Sequence, residues 1–362
     1  MDTNERKAVL DACDRTLFGH GRPRPHDELL ALAEWVDPAA HGDSYGTGEV
    51  IESFERDVAK LLGKEAAIFM PSGTMAQQIA LRIWCDRAGV HRVAFHPTCH
   101  LELHEQNAYR EIHHLEAALV GPPDRLMTIE DFEAAPRPLA ALLVELPQRE
   151  IGGQLPEWDD LVALVERARA EGLRLHLDGA RLWECGPFYG RSYAEIAALF
   201  DTVYVSFYKG LGGIAGAVLA GPADLVAESR VWERRHGGNL VRLYPYVLSA
   251  RKGLEERLPK MGRYVEAARA IAAALAAVPE VEVTPNPPPT NMMHVRLPYA
   301  PERVAAAALE VSRETRVWVT HGVRPTADPA ASVLELSVGD ATLEVGPDEV
   351  ASLYARIVQR LN

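Results

Sequence analysis

The sequence predicts an α/β protein, with a large domain built on a mostly parallel sheet and a small C-terminal α+β domain. From residue 49 to about 250, short apolar runs alternate with amphipathic helical patterns. The apolar runs contain few polar residues, as strands buried on both faces do, and strands that alternate with helices form parallel sheets. A second, shorter set of strand and helix patterns begins at the turn PNPPP at 285–289.

Three segments are predicted along the chain: 1–48 as an N-terminal helical segment, 49–250 as the large domain, and 251–362 as a connecting helix and the small domain. The first segment contains helical patterns at about 4–17 and 26–36. The strand patterns of the large domain are Ala66–Met70, Arg92–Phe95, Leu139–Glu145, Leu173–Asp178, Thr202–Ser206 and Gly216–Ala220. Its clearest helical patterns are Val50–Leu62, Thr74–Ala88, Trp158–Glu171 and Pro222–Arg235.

The C-terminal part begins with one long helical stretch at about 246–277, which stops before Pro279. Strands are predicted near 291–297, 316–319 and 332–338, and helices near 301–314 and 347–360. This mixture of strands and helices predicts a small α+β unit.

The composition is typical of a globular protein that needs neither disulfides nor a structural metal. The 362 residues are 48% hydrophobic and 25% charged. The net charge of −13 disfavours general binding to nucleic acids or anionic membranes. No apolar run is long enough to cross a bilayer, and the charged N-terminus does not resemble a signal peptide. The four cysteines form no CxxC motif, so we expect reduced thiols, no metal site and a cytoplasmic location.

Asp178 lies at the carboxyl end of a predicted strand, in the segment HLDGARL at 176–182. In open α/β sheets, ligands bind outside the carboxyl ends of the strands. Taken alone, however, Asp178 is better explained as a cap for the next helix.

Lys209 follows the next predicted strand, in the segment SFYKGLGG at 206–213. A buried lysine is costly unless its charge is paired or removed, and the glycines beside it allow a flat ligand to approach. An exposed lysine at a tight turn explains the segment equally well.

The segment PSGTMA at 71–76 leads from a strand into a long helix. Hydroxyls and unbonded backbone N–H groups at such a helix start, here Ser72, Gly73 and Thr74, can bind a phosphate. Taken alone, a plain N-cap is the better explanation.

The order of these three segments is more specific than any one of them. The helix start comes first, Asp178 follows about 100 residues later, and Lys209 follows Asp178 after 31 residues. This is the layout of a site for pyridoxal 5'-phosphate (PLP), in which a lysine binds the aldehyde, a carboxylate contacts the ring nitrogen, and a helix start binds the phosphate.

With these motifs the sequence resembles fold-type I PLP enzymes, and more narrowly the threonine aldolase and aromatic amino acid β-eliminating lyase family. The matching segments are YG at 45–46, GKEAA at 63–67, PSGTMA at 71–76, HLDGARL at 176–182 and KGLG at 209–212. The resemblance implies a seven-stranded, mostly parallel sheet of the aspartate aminotransferase type. It also implies an amino acid substrate and a homodimer or homotetramer with active sites at the subunit interface, for which the segment Gly237–Tyr246 is a candidate interface.

The resemblance also assigns roles to individual residues. Lys209 is expected to bind the cofactor aldehyde covalently, Asp178 to pair with the ring nitrogen, and Ser72–Thr74 to hold the phosphate. Arg181 is expected near the ring oxygen and the substrate carboxylate. Arg242 is expected to reach the phosphate, with Arg235 as a rival assignment.

A histidine that stacks on the cofactor ring is expected from the loop HPTCHLELHE at 96–105. Its spacing favours His100, with His104 and His96 as alternatives. Either His100 or an ordered water is then the expected catalytic base.

The chain departs from the family pattern where the substrate is bound. An opening Arg-Ser-Asp-Thr stretch is absent, and Gln148, which cannot act as an acid or base, stands where many aldolases have a second histidine. Glu335 stands near the position of the carboxylate-binding arginine, so Arg324 or Arg316 would have to substitute.

The expected reaction is retro-aldol cleavage of a threonine-like β-hydroxy-α-amino acid into glycine and an aldehyde. Because of the departures, β-elimination, racemisation or transaldol transfer on another amino acid is the alternative. A non-catalytic binding protein on the same fold is disfavoured, because Lys209 and Asp178 are both present.

Overall fold

The computed structural model describes residues 3–362, which form two compact units. The larger unit consists of His26–Glu150 and Leu155–Pro259. The smaller unit consists of the described residues up to Pro25, Ile151–Gln154 and Lys260–Asn362. The predicted segment 1–48 is therefore divided between the two units, and the predicted boundary at 250/251 lies inside a helix, Tyr244–Arg257.

The larger unit is built on a seven-stranded sheet. From edge to edge its strands are Ala66–Met70, Ala217–Gly221, Thr202–Ser206, Arg174–Gly179, Ala141–Glu145, Arg92–Phe95 and Glu116–Leu119. Six of the strands run in the same direction, and only Ala217–Gly221 runs in the opposite direction. The predicted α/β fold with a mostly parallel sheet is thus confirmed.

The strand Glu116–Leu119 was not predicted. It lies at the sheet edge, and only one of its four residues is buried, so it lacks the continuous apolar run of the inner strands. By contrast, all five residues of Thr202–Ser206 and of Ala217–Gly221 are buried, which explains why these strands were recognisable.

Eleven helices, counted over the described residues, accompany the sheet. They are Pro25–Trp35, Glu49–Leu61, Gly73–Ala88, His100–Leu103, Ala108–Glu111, Ile129–Glu133, Trp158–Ala170, Gly186–Tyr189, Tyr193–Ala197, Ala223–Arg235 and Tyr244–Arg257. The helix Gly73–Ala88 is the most deeply buried of them and packs against the central strands. It ends at Gly89, whose φ of 64° suits a glycine C-cap.

The smaller unit contains a four-stranded antiparallel sheet, a two-stranded pairing and four helices. The sheet order is Arg324–Pro325, Ser332–Ser337, Met292–Leu297 and Glu282–Thr284. The pairing joins Arg15–Thr16 to Val317–Trp318 in parallel. The helices are Thr3–Ala12, Met261–Ala276, Pro301–Thr315 and Pro347–Leu361.

Two predicted helices differ from those observed. The pattern at 4–17 ends at Ala12, because Arg15 and Thr16 pair as a strand instead. The stretch at 246–277 is two helices, separated by the 3-10 turn Leu258–Lys260 around Pro259. Proline lacks the N–H that a continuous helix needs there.

Across residues 3–362, none of the helices combines the length and the apolar character that crossing a bilayer requires. The four cysteines carry no disulfide.

Candidate active site

The site lies at the carboxyl ends of three neighbouring parallel strands. Glu145 ends one strand, Asp178 lies beside it in register on the next, and Tyr204 lies beside Asp178 on the third. Lys209 follows three residues after the third strand ends. Because these strands are parallel, their carboxyl ends lie at the same edge of the sheet, and the side chains come together there.

Five of the predicted site residues line one pocket: Thr74, His100, Asp178, Arg181 and Lys209. Asp178 and Lys209, on which the PLP prediction depends, therefore share a pocket. The other lining residues, most of them polar, are Gln77, Thr98, His104, Glu145, Arg149, Glu150, Ala180, Tyr204 and Tyr208.

Asp178 is buried at the bottom of this network. One carboxylate oxygen accepts a hydrogen bond from the backbone N–H of Ala180 at 3.0 Å, and the side chain of Gln77 also bonds the carboxylate. Burial raises the pKa of Asp178, while these hydrogen bonds and the nearby charge of His100 oppose the increase. Asp178 therefore holds the turn after its strand and lines the pocket, whereas the N-cap residue of the next helical turn, Leu182–Glu184, is Arg181.

Glu145 is a second carboxyl group beside Asp178. Oxygens of Glu145 and Asp178 and the sulfur of Cys99 all lie within 4.8 Å of one another. Glu145 accepts hydrogen bonds from the backbone N–H of Arg149 and from the amide of Gln148, both at 3.1 Å. Burial and the neighbouring charge of Asp178 raise the pKa of Glu145. The sequence showed only that Glu145 ends a buried strand.

The helix start at Ser72 differs from an ordinary cap. Ser72 is the N-cap residue of the helix Gly73–Ala88, with extended backbone angles, but its side chain makes no capping hydrogen bond. Ser72 therefore occupies the N-cap position, but its side chain makes no capping bond there. The hydroxyl and the first backbone N–H groups of the helix are the groups that bind phosphate in other proteins.

The turn at Lys209 is closely packed. The Nζ atom of Lys209 lies 5.2 Å from the centre of the Tyr208 ring. A Cβ atom on Gly210 would lie 2.6 Å from a carboxylate oxygen of Glu184, so any other residue here would require the Glu184 side chain to move. Arg257 donates to the carbonyl of Leu211 at 2.8 Å, which holds the turn in place.

Two histidines line the pocket, and each contacts its own carboxylate. Nδ1 of His100 lies 2.9 Å from Glu105, whose side chain is fully buried and also accepts from Gln78. Nε2 of His104 lies 2.9 Å from Glu150. The centres of the two imidazole rings are 5.1 Å apart.

His96, the third histidine of the loop, is not part of the pocket. Its ring is buried and contacts Thr98 and the carbonyl of Arg125, each at 2.8 Å. Because His96 does not line the pocket, the structure does not support it as the alternative ring-stacking residue, and its two ring nitrogens hold the loop instead.

The predicted arginines are distributed differently. Arg181 lines the pocket, and so does Arg149, which was not predicted. Arg242 is exposed and donates to the carbonyl of Val241 at 3.0 Å, and Arg235 lies over the ring of Trp232 at 4.5 Å; neither lines the pocket of its own chain.

The two substitutes proposed from the C-terminal part of the chain lie in the smaller unit and contact other residues there. Arg316 forms a bidentate ion pair with Asp14, with N–O distances of 2.7 and 2.8 Å. Arg324 lies 2.9 Å from His294 and 3.8 Å from Glu335.

The residues present fit PLP chemically. The pocket offers an amine at Lys209, a buried carboxylate at Asp178 and a helix start without a capping side chain. A Cβ atom on Gly73 would lie 1.9 Å from the hydroxyl oxygen of Tyr204, so the helix start can adopt this close packing only with glycine. The pocket itself measures only about 20 Å³.

The mostly parallel sheet, with a lysine and an aspartate in one pocket at its carboxyl edge, defines a PLP-dependent enzyme of fold type I. The sequence matches the model of the β-eliminating lyase family over residues 37–298, and the chain belongs to this family of lyases. The predicted family, cofactor and enzyme class are thus confirmed.

Two solved structures are similar over the full chain. One, from Listeria monocytogenes EGD-E, is described as a candidate L-allo-threonine aldolase; it is 44% identical, with a TM-score of 0.94, and the match covers 99% of each chain. The other, from Exiguobacterium sp. 255-15, is described as a candidate aromatic amino acid β-eliminating lyase/threonine aldolase. It is 44% identical, with a TM-score of 0.92, and the match covers 99% of this chain and 100% of that one.

A curated relative, low-specificity L-threonine aldolase 1 of Arabidopsis thaliana, is 29% identical over 283 residues. The match covers 75% of this chain and 77% of the relative. A serine palmitoyltransferase from Sphingomonas wittichii, at 16% identity and a TM-score of 0.70, shares the fold.

Proposed function

We propose that the protein cleaves a threonine-like β-hydroxy-α-amino acid into glycine and an aldehyde. The observation that carries this proposal is the shared pocket, in which Lys209 and Asp178 lie together with Arg181 and two histidine–glutamate pairs. The threonine aldolases among the similar proteins support the same reaction.

Each group in the pocket has a proposed task. When bound, PLP supplies an electron-accepting ring that stabilises the negative charge left on Cα when a bond to it breaks. Asp178 places a carboxylate for the ring nitrogen, Lys209 provides the amine for the aldehyde, and the Ser72–Thr74 turn provides donors for the phosphate. Arg181 and Arg149 are the guanidinium groups that can bind the substrate carboxylate in the pocket.

The test is to incubate the purified, PLP-loaded protein with L-threonine, L-allo-threonine and L-serine and to measure glycine, the aldehyde, the 2-oxo acids pyruvate and 2-oxobutyrate, and ammonia. We expect glycine and aldehyde in equal amounts from the β-hydroxy amino acids. The Lys209→Ala variant should lose both the product and the visible absorbance of bound PLP, because it lacks the amine.

β-Elimination is the second candidate, favoured by the description of the Exiguobacterium structure and by Gln148, which cannot transfer a proton. Ammonia and a 2-oxo acid without glycine, pyruvate from serine or 2-oxobutyrate from either threonine, would establish that reaction and would exclude aldol cleavage.

We also propose that the protein acts as a homodimer or homotetramer. Tyr45, Leu240, Val241 and Tyr244 are exposed, although they are large and apolar, and Tyr45 and Val241 are joined by a backbone hydrogen bond. This patch overlaps the segment Gly237–Tyr246 and supports its assignment as an interface. Arg242 lies within that segment and would reach a phosphate only across such an interface. Light scattering should give a mass of two or four chains, and a monomer would contradict the proposal.

A cytoplasmic location is part of the same proposal and is supported by the four cysteines, which carry no disulfide.

A further inference from the structure

His104 and His100 lie on the same wall of the pocket, one helical turn apart. His100 begins the short helix His100–Leu103, and His104 is its C-cap residue. Both side chains are partly exposed, by 32% for His100 and 38% for His104, so both can contact a bound molecule. The pocket therefore contains two imidazole groups, each of which can have its own chemical role.

The two rings have different neighbours, although their centres are only 5.1 Å apart. His100 is close enough to Asp178 for its charge to act on that carboxylate, and its partner Glu105 also acts on Asp178. His104 instead contacts Glu150, which accepts a hydrogen bond from Arg149 at 2.5 Å. His100 is therefore associated with Glu105 and Asp178, the carboxylate assigned to the ring nitrogen of the cofactor. His104 is associated with Glu150 and Arg149, and Arg149 is one of the two guanidinium groups proposed for the substrate carboxylate.

The contact with Glu150 indicates which nitrogen of the His104 ring carries a hydrogen. A carboxylate accepts hydrogen bonds, so Nε2 of His104 carries the hydrogen that Glu150 accepts. In the neutral ring, Nδ1 is then the atom with an available electron pair. Within residues 3–362, no other hydrogen bond or ion pair of the His104 side chain is present. A carboxylate that orients an imidazole in this way is the usual support of a catalytic base.

We propose that His104 is the catalytic base that takes the proton of the substrate β-hydroxyl, and that Glu150 positions it. This inference rests on the aldol cleavage proposed above. It assigns the base to a side chain other than His100 or an ordered water. Gln148 is excluded because its amide already donates to Thr98 and Glu145 and cannot accept a proton in this role.

The proposed step moves one proton and breaks one carbon–carbon bond. Nδ1 of His104 takes the hydroxyl proton, and the electron pair of the O–H bond becomes the second bond of the aldehyde carbonyl. The Cα–Cβ bond breaks with its electron pair left on Cα. A proton from solvent then adds at Cα to complete glycine, and His104 returns its proton to solvent.

The first experiment compares two reactions of the PLP-loaded protein: aldol cleavage of L-threonine or L-allo-threonine, and exchange of the glycine α-hydrogen in heavy water. Both reactions need the cofactor and Lys209, but only cleavage needs a base at the β-hydroxyl. For His104→Asn we expect kcat of cleavage to fall by roughly 10²–10⁴-fold, with glycine exchange essentially unchanged. His114→Asn is the matched control, because His114 is exposed, lies outside the pocket and has a positive φ that asparagine tolerates.

Equal losses in both reactions would overturn the inference, because His104 would then support the cofactor site in general. An unchanged rate of cleavage would overturn it as well. Glycine exchange without any cleavage by the wild-type protein would instead contradict the proposed function itself.

A second measurement does not depend on activity. Nitrogen-15 NMR of the histidine rings, with His104 assigned from the His104→Asn spectrum, should show hydrogen on Nε2 of His104. In Glu150→Gln the shifts of that ring should move toward a mixture of tautomers, and cleavage should slow while glycine exchange is retained. Hydrogen on Nδ1 in the wild-type protein would overturn the inference.

Discussion

Gly73 shows how one residue connects packing with the binding site. A Cβ atom at this position would lie 1.9 Å from Oη and 2.3 Å from Cζ of Tyr204, which is far closer than van der Waals contact. Tyr204 is buried and lines the pocket, so it cannot move away without changing the site. The glycine is therefore needed for space and not for an unusual backbone angle.

We predict that Gly73→Ala weakens PLP binding at least about tenfold and lowers the free energy of unfolding by about 1–3 kcal/mol, because the side chain overpacks against Tyr204. Titration with PLP and urea unfolding measure the two effects. Gly262→Ala is the control: Gly262 is helical and has no atom within 4 Å of an added Cβ, so it should be neutral or slightly stabilising. Wild-type PLP affinity in Gly73→Ala would contradict the role given to Tyr204.

Glu145 illustrates what residue-level reasoning from the sequence could not find. Its position at a strand end was visible, but its neighbour in register, Asp178, is 33 positions away along the chain. Only strand pairing brings the two carboxyl groups together, and the raised pKa of Glu145 results from that pairing as well as from burial.

Among the helices, the start at Ser72 contrasts with two ordinary starts. Thr128 and Ser192 each cap a helix through a capping box, in which the side chain accepts from the third residue of the helix and that residue bonds back. Ser72 occupies the same position at the helix Gly73–Ala88 without such a bond. Thr128 and Ser192 are each followed three residues later by an acidic residue, whereas Ser72 is followed there by Met75. The sequence therefore shows that Ser72 has no capping box, but it does not show whether Ser72 contacts a ligand.

We predict that Ser72→Ala changes the free energy of unfolding of the PLP-free protein by less than about 0.5 kcal/mol, because no capping bond is lost. Ser192→Ala should cost about 1 kcal/mol, as loss of an N-cap does. PLP affinity should fall in Ser72→Ala only. Urea unfolding and PLP titration give both quantities, and equal stability losses in the two variants would show that Ser72 caps its helix after all.

The boundaries of strands and helices were predicted well where a short stretch of sequence decides them. The strand–helix alternation from Ala66 to Gly221 follows from apolar runs and was recognised to within two residues at most strand ends. The stretch at 246–277 was misread because its composition favours a helix throughout, whereas Pro259 interrupts it. Arg15–Thr16 were misread because a two-residue strand exists only through its partner, Val317–Trp318.

At the scale of the whole molecule, buried histidines contribute to the loss of stability in acid. His176 is fully buried, with Nδ1 2.9 Å from the hydroxyl oxygen of Thr202, which in turn accepts from Trp84. Burial lowers the pKa of His176 to about 3 and contributes most to lowering the pKa of His113 to about 4. Both rings are therefore neutral in the folded protein near pH 6, whereas an unfolded histidine is protonated below about pH 6.5.

Since the unfolded state binds the extra protons, stability from these histidines is complete above about pH 6.5 and is lost as the pH falls toward 4. We predict that the free energy of unfolding decreases more steeply between pH 6.5 and 4.5 in the wild-type protein than in His176→Gln. The difference in slope should approach about 1.4 kcal/mol per pH unit. Buried Glu233, whose pKa burial raises to about 7, acts in the opposite direction, but it is present in both proteins.

Urea unfolding at a series of pH values measures the slopes. His41→Gln, at an exposed position, is the control and should keep the wild-type slope. Identical slopes for His176→Gln and the wild-type protein would show that His176 does not contribute to acid sensitivity.

The sequence by itself determined the alternation of strands and helices, the family, and the order in which Ser72, Asp178 and Lys209 occur, because each depends on short stretches of chain. The tertiary structure decided which polar groups meet. It paired His104 with Glu150, 46 positions away, placed Glu145 beside Asp178, and left Arg242 outside the pocket of its own chain. Contacts of this kind depend on sheet register and loop packing, which no local pattern of residues encodes.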